Sequence, residues 1–277
     1  MVVDIFKLRN EFKAPHYLIT TSDHQTLFLR KWEPARDERK ETAILIFHGV
    51  TAYSGPYKMI AAPLMELGFT VYGLDLRGHG LSDGNRGDYP NIERLIKDLC
   101  ESIQFVKQYH DKVVILGHSL GVLSAAFVMN NCLETIDGAV LLSGARITRP
   151  TAYPSMSTLQ KLKILFSTIT NPKKPVIRYY REGMVGLDDP LFTFNYTYRF
   201  MKILRIRNFT FPELSNMPIF VGVGDNDELF SVEDCRALYD EIPSTNKMFH
   251  VAIGGKHAEF PKGSLDPLNR WLDEQFD

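Results

Sequence analysis

The chain has 277 residues, 44% of them hydrophobic and 23% charged, with a formal net charge of −1. That mix is close to the globular average, so disorder and fibrous repeats are excluded, and the near-zero balance carries no nucleic-acid signal. The length suits one large domain or a domain with an insertion.

Charges fall within the first ten residues and no apolar core of signal-peptide length follows, so a targeting segment is not expected. No stretch approaches the roughly 20 apolar residues of a membrane span. His16 to Thr21 and Leu27 to Trp32 read as an antiparallel hairpin at a sheet edge. Thr42 to His48 is a fully apolar strand that runs into His48-Gly49-Val50-Thr51-Ala52-Tyr53-Ser54-Gly55, a loop at the edge where open α/β sheets hold their ligands. Pro56 to Leu67 predicts a helix closed by Gly68, Phe69 to Asp75 a strand, and Leu76 to Gly84 a long turn. Tyr89 to Tyr109 carries Ile92, Leu95, Ile96, Leu99, Ile103 and Val106 at helical spacing.

The run Val113-Val-Ile-Leu116 then meets Gly117-His-Ser-Leu-Gly121 and a segment rich in small residues, Val122 to Met129. This is a strand, a sharp turn and a helix. In such an elbow the two glycines leave room where a Cβ would collide, Ser119 is lifted clear of the sheet, and the first amides of the helix point at the space above it. Asp137 to Ser143 is the sixth strand. The repeated βα order predicts an α/β fold: a mostly parallel, eight-stranded sheet flanked by helices.

From 146 to 213 this rhythm breaks. These 68 residues hold twelve basic residues against four acidic ones, a local balance of +8 that leaves −9 for the rest, and 11 of the chain's 32 aromatics. They are expected to form a helical lid inserted after the sixth strand, with 1–145 and 214–277 as the core. Two basic amphipathic helices are predicted in it, Met156 to Phe166 and Thr197 to Arg207. The plainer expectation is that their apolar sides cover the sheet edge while Lys and Arg are solvated. The sharper one is transient contact of the basic face with an anionic membrane surface. The core resumes with a strand at Met217 to Gly224, a helix capped by Ser231 and running to Ile242, a strand at Lys247 to Ile253 and a closing helix at Asp266 to Phe276. The cysteines Cys100, Cys132 and Cys235 are odd in number, far apart and match no metal-ligand spacing, so they are expected to be reduced, in a cytoplasmic protein.

A serine hydroxyl needs a base, and the base needs an orienting acid. Of eight histidines, His16, His24, His110 and His250 read as surface or core residues. His48, His79 and His118 lie in turns near the sheet edge, where they pin loops. His257, in the glycine-loosened Gly254-Gly-Lys-His-Ala258 after the last strand, is placed to reach the elbow. The loop after Gly224 offers Asp225, Asp227 and Glu228. Asp227 stands beyond the strand end and is the expected acid, whereas Asp225 is expected to fix the turn through an Asx-type bond. The order Ser119, Asp227, His257 is that of nucleophile-elbow hydrolases. The amides of Val50 and Leu120 are the expected oxyanion donors.

His48-Gly49, Asp75-Leu-Arg-Gly-His-Gly-Leu-Ser82, Gly117-His-Ser-Leu-Gly121, Asp189-Pro-Leu191, Gly224-Asp-Asn-Asp227 and Gly255-Lys-His257 together resemble the α/β-hydrolase fold family. The likeness is greatest to its monoacylglycerol lipase and lysophospholipase branch, also described as serine-aminopeptidase-like. It covers nearly the whole chain and implies Ser119 as nucleophile, Asp227 and His257 as its partners, and Val50 and Leu120 as the oxyanion hole. Val122 departs from it, standing where the branch often has another glycine. The implied activity is hydrolysis of monoacylglycerols or short- and medium-chain acyl and aryl esters, with no cofactor, no metal and no nucleic-acid partner. Lysophospholipid or thioester cleavage, peptidase action, perhydrolysis, or a non-catalytic lipid- or hormone-binding descendant stay open at this stage.

Overall fold

Alternating apolar side chains along the strands divide the core into two layers, one on each face of the sheet. In the computed structural model, which describes residues 4–35, 39–149, 156–181, 183–206 and 209–276, the main sheet contains β1 (His16–Thr20), β2 (Thr26–Trp32), β3 (Thr42–Phe47), β4 (Thr70–Leu74), β5 (Lys112–His118), β6 (Gly138–Leu142), β9 (Ile219–Gly224) and β10 (Lys247–Ala252). Its order is β1-β2-β4-β3-β5-β6-β9-β10; β1 and β2 are antiparallel, β2 and β4 are antiparallel, and every other neighbour pair is parallel. The expected eight-stranded, mostly parallel sheet is therefore present, with the hairpin at its edge.

Successive side chains of a strand point to opposite faces. Ile44, Ile46, Val114, Leu116, Val140 and Leu142 accordingly pack under α2 (Lys58–Glu66) and α8 (Asp266–Gln275). Leu45, Phe47, Val113, Ile115 and Leu141 pack under α3 (Ile92–Val106) and α4 (Leu120–Asn131). The α3 helix starts later than Tyr89 because Asn91 caps it, its side chain accepting the Arg94 N–H. Likewise α2 starts at Lys58, after a 3-10 turn over Gly55–Tyr57. The Ser231 cap is as expected: its hydroxyl accepts the Asp234 N–H at the start of α7 (Val232–Glu241).

The cysteines are not all reduced, contrary to expectation. Cys100 on α3 and Cys132 at the end of α4 form a disulfide, with Cα atoms 6.2 Å apart; Cys235 is free and buried. The two helices lie side by side on one sheet face, and that neighbourhood, not the 32-residue spacing, brings the sulfurs together. A cytoplasmic location therefore no longer follows from the cysteines. Among the described residues no helix is long and apolar enough to cross a membrane.

Between β6 and β9 the chain leaves the main sheet for α5 (Thr158–Thr170), a two-stranded antiparallel ladder of β7 (Ile177–Arg178) and β8 (Asn195–Tyr196), and α6 (Tyr198–Leu204). This excursion is thus not wholly helical, and the end of its second predicted helix, Arg207, lies outside the described residues. The α6 helix buries Phe200, Met201, Ile203 and Leu204 as its pattern implies. The α5 helix does the reverse. It buries only Ile164 and Ser167, while Leu159, Leu162, Leu165, Phe166 and Ile169 are exposed. Periodicity defined its apolar stripe but not the direction in which that stripe faces, so the expectation that it covers the sheet edge is corrected. An N-terminal helix, α1 (Ile5–Glu11), was not expected; Arg9 anchors it by pairing with Asp83 at 2.9 Å.

Candidate active site

The elbow is built by close backbone approach. A Cβ on Gly117 would lie 2.2 Å from the Gly121 carbonyl oxygen, and one on Gly121 would lie 2.0 Å from that of Phe47, so no side chain fits at either position. Ser119 itself adopts φ 57°, ψ −114°, a conformation that L residues rarely occupy. Its amide is fixed to the Leu142 carbonyl of the neighbouring strand at 3.0 Å. Strand β5 thereby holds the serine at its carboxyl end, where helix α4 begins.

The three expected side chains meet. The Ser119 hydroxyl lies 3.0 Å from His257 Nε2, and His257 Nδ1 lies 3.0 Å from Asp227 Oδ2. His257 and Asp227 are buried, while Ser119 keeps partial exposure to the cavity above it. Asp227 reaches that position because its other oxygen accepts the N–H groups of Leu229 and Phe230, at 2.8 and 3.0 Å, which folds the loop after β9 around the carboxylate. Burial works to raise the Asp227 pKa, but the His257 ring and those two amides outweigh it and hold the carboxyl down at about 2. A carboxylate charged at neutral pH fixes the proton on Nδ1 and leaves Nε2 free to accept the serine proton.

The neighbouring acids take other tasks. Glu228 accepts the backbone N–H of His257 at 2.8 Å. Asp225, expected to close its own turn, instead accepts the N–H of Gly254 at 2.7 Å. Both bonds run across from the loop after β9 to the loop after β10, so the two side chains position the histidine loop. Neither role was readable from a loop considered alone.

A second network, absent from the sequence reading, ties three loops together. The Gly49 N–H donates to the Tyr57 hydroxyl at 2.8 Å, that hydroxyl lies 2.8 Å from His118 Nδ1, and His118 Nε2 lies 2.7 Å from the carbonyl oxygen of His257. A carbonyl only accepts, so His118 carries its proton on Nε2, and its Nδ1 accepts the hydrogen bond that the Tyr57 O–H donates. Burial, reinforced by the nearby His257 ring, pushes the His118 pKa down to about 4, which keeps it neutral. His118 thus pins loops, as expected of it. His48 does the same, bridging Gly49 O and the Leu76 N–H. His250 is satisfied by Ser264 O at 2.8 Å.

Val50 follows Gly49 directly, and Leu120 follows Ser119. Among the described residues neither amide is taken by another protein group. Gly49 lies so close that a Cβ on it would sit 3.3 Å from Ser119 Cβ. The excursion after β6 closes over the same loop: Tyr196 donates to the Val50 carbonyl at 2.6 Å, Tyr53 to Asp189 at 2.8 Å, and the Thr193 N–H to Thr51 O at 3.0 Å. The resulting cavity measures about 980 Å³, opens on Ser119 and His257, and is walled by Met59, Ile60, Met184, Val185, Phe192 and Phe260 among others. A smaller apolar compartment of about 60 Å³ lies against Ser119, lined by Leu120, Val122, Leu123, Leu229 and Phe230. Such a site presents a nucleophile, its base and unused N–H donors to an apolar ligand. Among the described residues no group of three or more His, Cys, Asp or Glu side chains is arranged to hold a metal ion.

The family model described as serine aminopeptidase, S33 matches residues 38–260. The chain is 30% identical over 281 residues to monoglyceride lipase of Mus musculus, covering 94% of this chain and 90% of that one. It is also 30% identical over 185 residues to the uncharacterized protein YnbC of Escherichia coli, where it spans 64% of its own length and only 32% of the relative's. Among solved structures it resembles a soluble variant of monoglyceride lipase from Saccharomyces cerevisiae in complex with a substrate analog, at a TM-score of 0.77 and 16% identity over 96% of this chain and 97% of that one.

Proposed function

From the membership of this chain in the serine aminopeptidase S33 family, to which it belongs by a match over most of its length, we propose that it is a serine carboxylic ester hydrolase. Its substrates in this proposal are monoacylglycerols or short- and medium-chain acyl and aryl esters. The observation that carries the proposal is the continuous relay Ser119–His257–Asp227, 3.0 Å at each step, opening on an apolar cavity. The likeness to monoglyceride lipases supports it.

In the proposed cycle His257 Nε2 takes the Ser119 proton as Oγ attacks the ester carbonyl carbon. The amides of Val50 and Leu120 receive the resulting oxyanion, each supplying about 3 to 4 kcal/mol of transition-state stabilisation. The ester C–O bond then breaks, and the alcohol leaves with the proton held by His257. Water, deprotonated by the same nitrogen, attacks the acyl-enzyme and releases the acid. Residues 146–213 act in this proposal as a lid on the core formed by 1–145 and 214–277. The exposed apolar stripe of α5, beside Lys161, Lys163, Lys173 and Lys174, suits transient contact with an anionic lipid surface.

A chain-length series of p-nitrophenyl esters, run beside monoacylglycerols, tests the reading. Hydrolysis of these esters that falls on the order of 10⁶-fold in Ser119→Ala supports it; comparable activity in that variant, or none in the wild type, refutes it.

A further inference from the structure

Arg181 is a charged side chain that the acyl-transfer cycle leaves unused, yet it lines the cavity that holds Ser119 and His257. It lies three residues past the end of β7, where its backbone N–H meets Met184 Sδ at 3.2 Å. The residue is half-buried, and its Nε–H is shut off from solvent with no hydrogen-bond acceptor among the described residues. Two other arginines of the same excursion are paired, Arg146 with Glu241 and Arg199 with Asp88. Arg181 pairs with no carboxylate among the described residues.

The acids of the cavity wall do not answer it. Glu259 is taken by Lys256 at 3.1 Å, and Glu228 by the His257 backbone at 2.8 Å. Glu66 and Asp266 stand at the end of α2 and the start of α8, on the wall made by the core. A desolvated guanidinium N–H without an acceptor carries a penalty that a bound acceptor relieves. The guanidinium fork matches the paired oxygens of a carboxylate or phosphate. A space of about 980 Å³ holds both an acyl chain and a charged group.

We propose that Arg181 is a specificity-determining residue that receives an anionic group, phosphate or carboxylate, carried by the ester that Ser119 cleaves. The inference rests on the ester-hydrolase reading and narrows it to anionic amphiphilic monoesters. Their bond cleavage is unchanged, and one of the two products keeps the charge.

Two substrate pairs separate the two sources of charge. 1-Decanoylglycerol 3-phosphate against 1-decanoylglycerol places it on the alcohol half; the p-nitrophenyl half-ester of decanedioic acid against p-nitrophenyl decanoate places it on the acyl half. For one pair, the ratio of anionic to neutral kcat/KM is expected to fall about 10- to 100-fold in Arg181→Gln and to recover in part in Arg181→Lys. Damage to folding lowers both members of a pair and leaves their ratio alone, so a ratio unchanged for both pairs overturns the proposal. Binding of decyl phosphate and of decanoate to Ser119→Ala, with and without Arg181→Gln, reads the same site without turnover. If no ester is cleaved but this binding still depends on Arg181, the hydrolase reading fails and the anion site stands. If esters are cleaved while neither the ratio nor the binding depends on Arg181, the anion site fails alone.

Discussion

Tyr57→Phe removes one oxygen and leaves the ring in place, which isolates the network joining the three loops. That oxygen accepts the Gly49 N–H at 2.8 Å and serves His118 Nδ1 at 2.8 Å, all in buried surroundings where burial also keeps the phenol protonated. Its removal leaves two buried polar groups without partners, each costing about 1 to 3 kcal/mol. With partial relaxation of the loop, the loss in stability is expected at about 3 kcal/mol, or roughly 6 to 12 °C in Tm for a chain of this size. Gly49 precedes the Val50 amide and leaves only the room of a missing Cβ beside Ser119, so a slackened Gly49 blurs the distance between oxyanion donor and nucleophile. Forfeiting about 1.4 kcal/mol of the 3 to 4 kcal/mol that one donor supplies lowers kcat about tenfold, with KM moving less. Urea unfolding followed by Trp32 and Trp271 fluorescence, together with p-nitrophenyl butyrate kinetics, measures both. A variant with wild-type urea midpoint and wild-type kcat would refute the reasoning.

The His118 pKa is lowered to about 4 from the ordinary 6.5, so the unfolded chain binds its proton first, and stability falls as pH drops from 6.5 toward 4. By pH 5 the loss is about 2 kcal/mol, and His118→Gln should flatten that part of the pH–stability curve; parallel curves for variant and wild type would contradict it. Asp227, held at about 2, adds stability above its unfolded pKa of 3.8 that disappears between pH 3.8 and 2; Asp227→Asn should lack that limb in acid titrations of the unfolding midpoint. Val122 lines the small compartment beside Ser119, so Val122→Ala should enlarge it and shift the ester series toward bulkier groups at a cost of about 2 kcal/mol. An unaltered chain-length profile would show that the compartment does not hold substrate. Replacing the disulfide in Cys100→Ser/Cys132→Ser reopens a 32-residue loop and should cost about 3 to 4 kcal/mol in the chain-entropy view, read as a lower Tm matched by the reduced wild type.

The elbow was legible because sterics there admit few residues: Gly117 and Gly121 face backbone atoms that exclude any Cβ. The mostly parallel sheet, and the loops that carry Ser119, Asp227 and His257, were legible as apolar runs that end in polar loops; the order of the strands across the sheet was not. What escaped the sequence depends on which loops become neighbours. Glu228, Asp225 and Tyr57 act on residues 8 to 61 positions away, and no local pattern encodes such partners. The β7–β8 ladder pairs only two residues per strand, too short for an alternation to register. The Cys100–Cys132 bond and the outward stripe of α5 share one cause, since periodicity gives a helix a face but not a neighbour.

Capture of a serine-directed phosphonate probes the Ser119–His257 relay most directly. A fluorophosphonate added to the wild type and mapped by peptide mass spectrometry is predicted to modify Ser119 and no other residue, with the rate collapsing in His257→Ala. An adduct on a different residue, or equal labelling rates with and without His257, would contradict it.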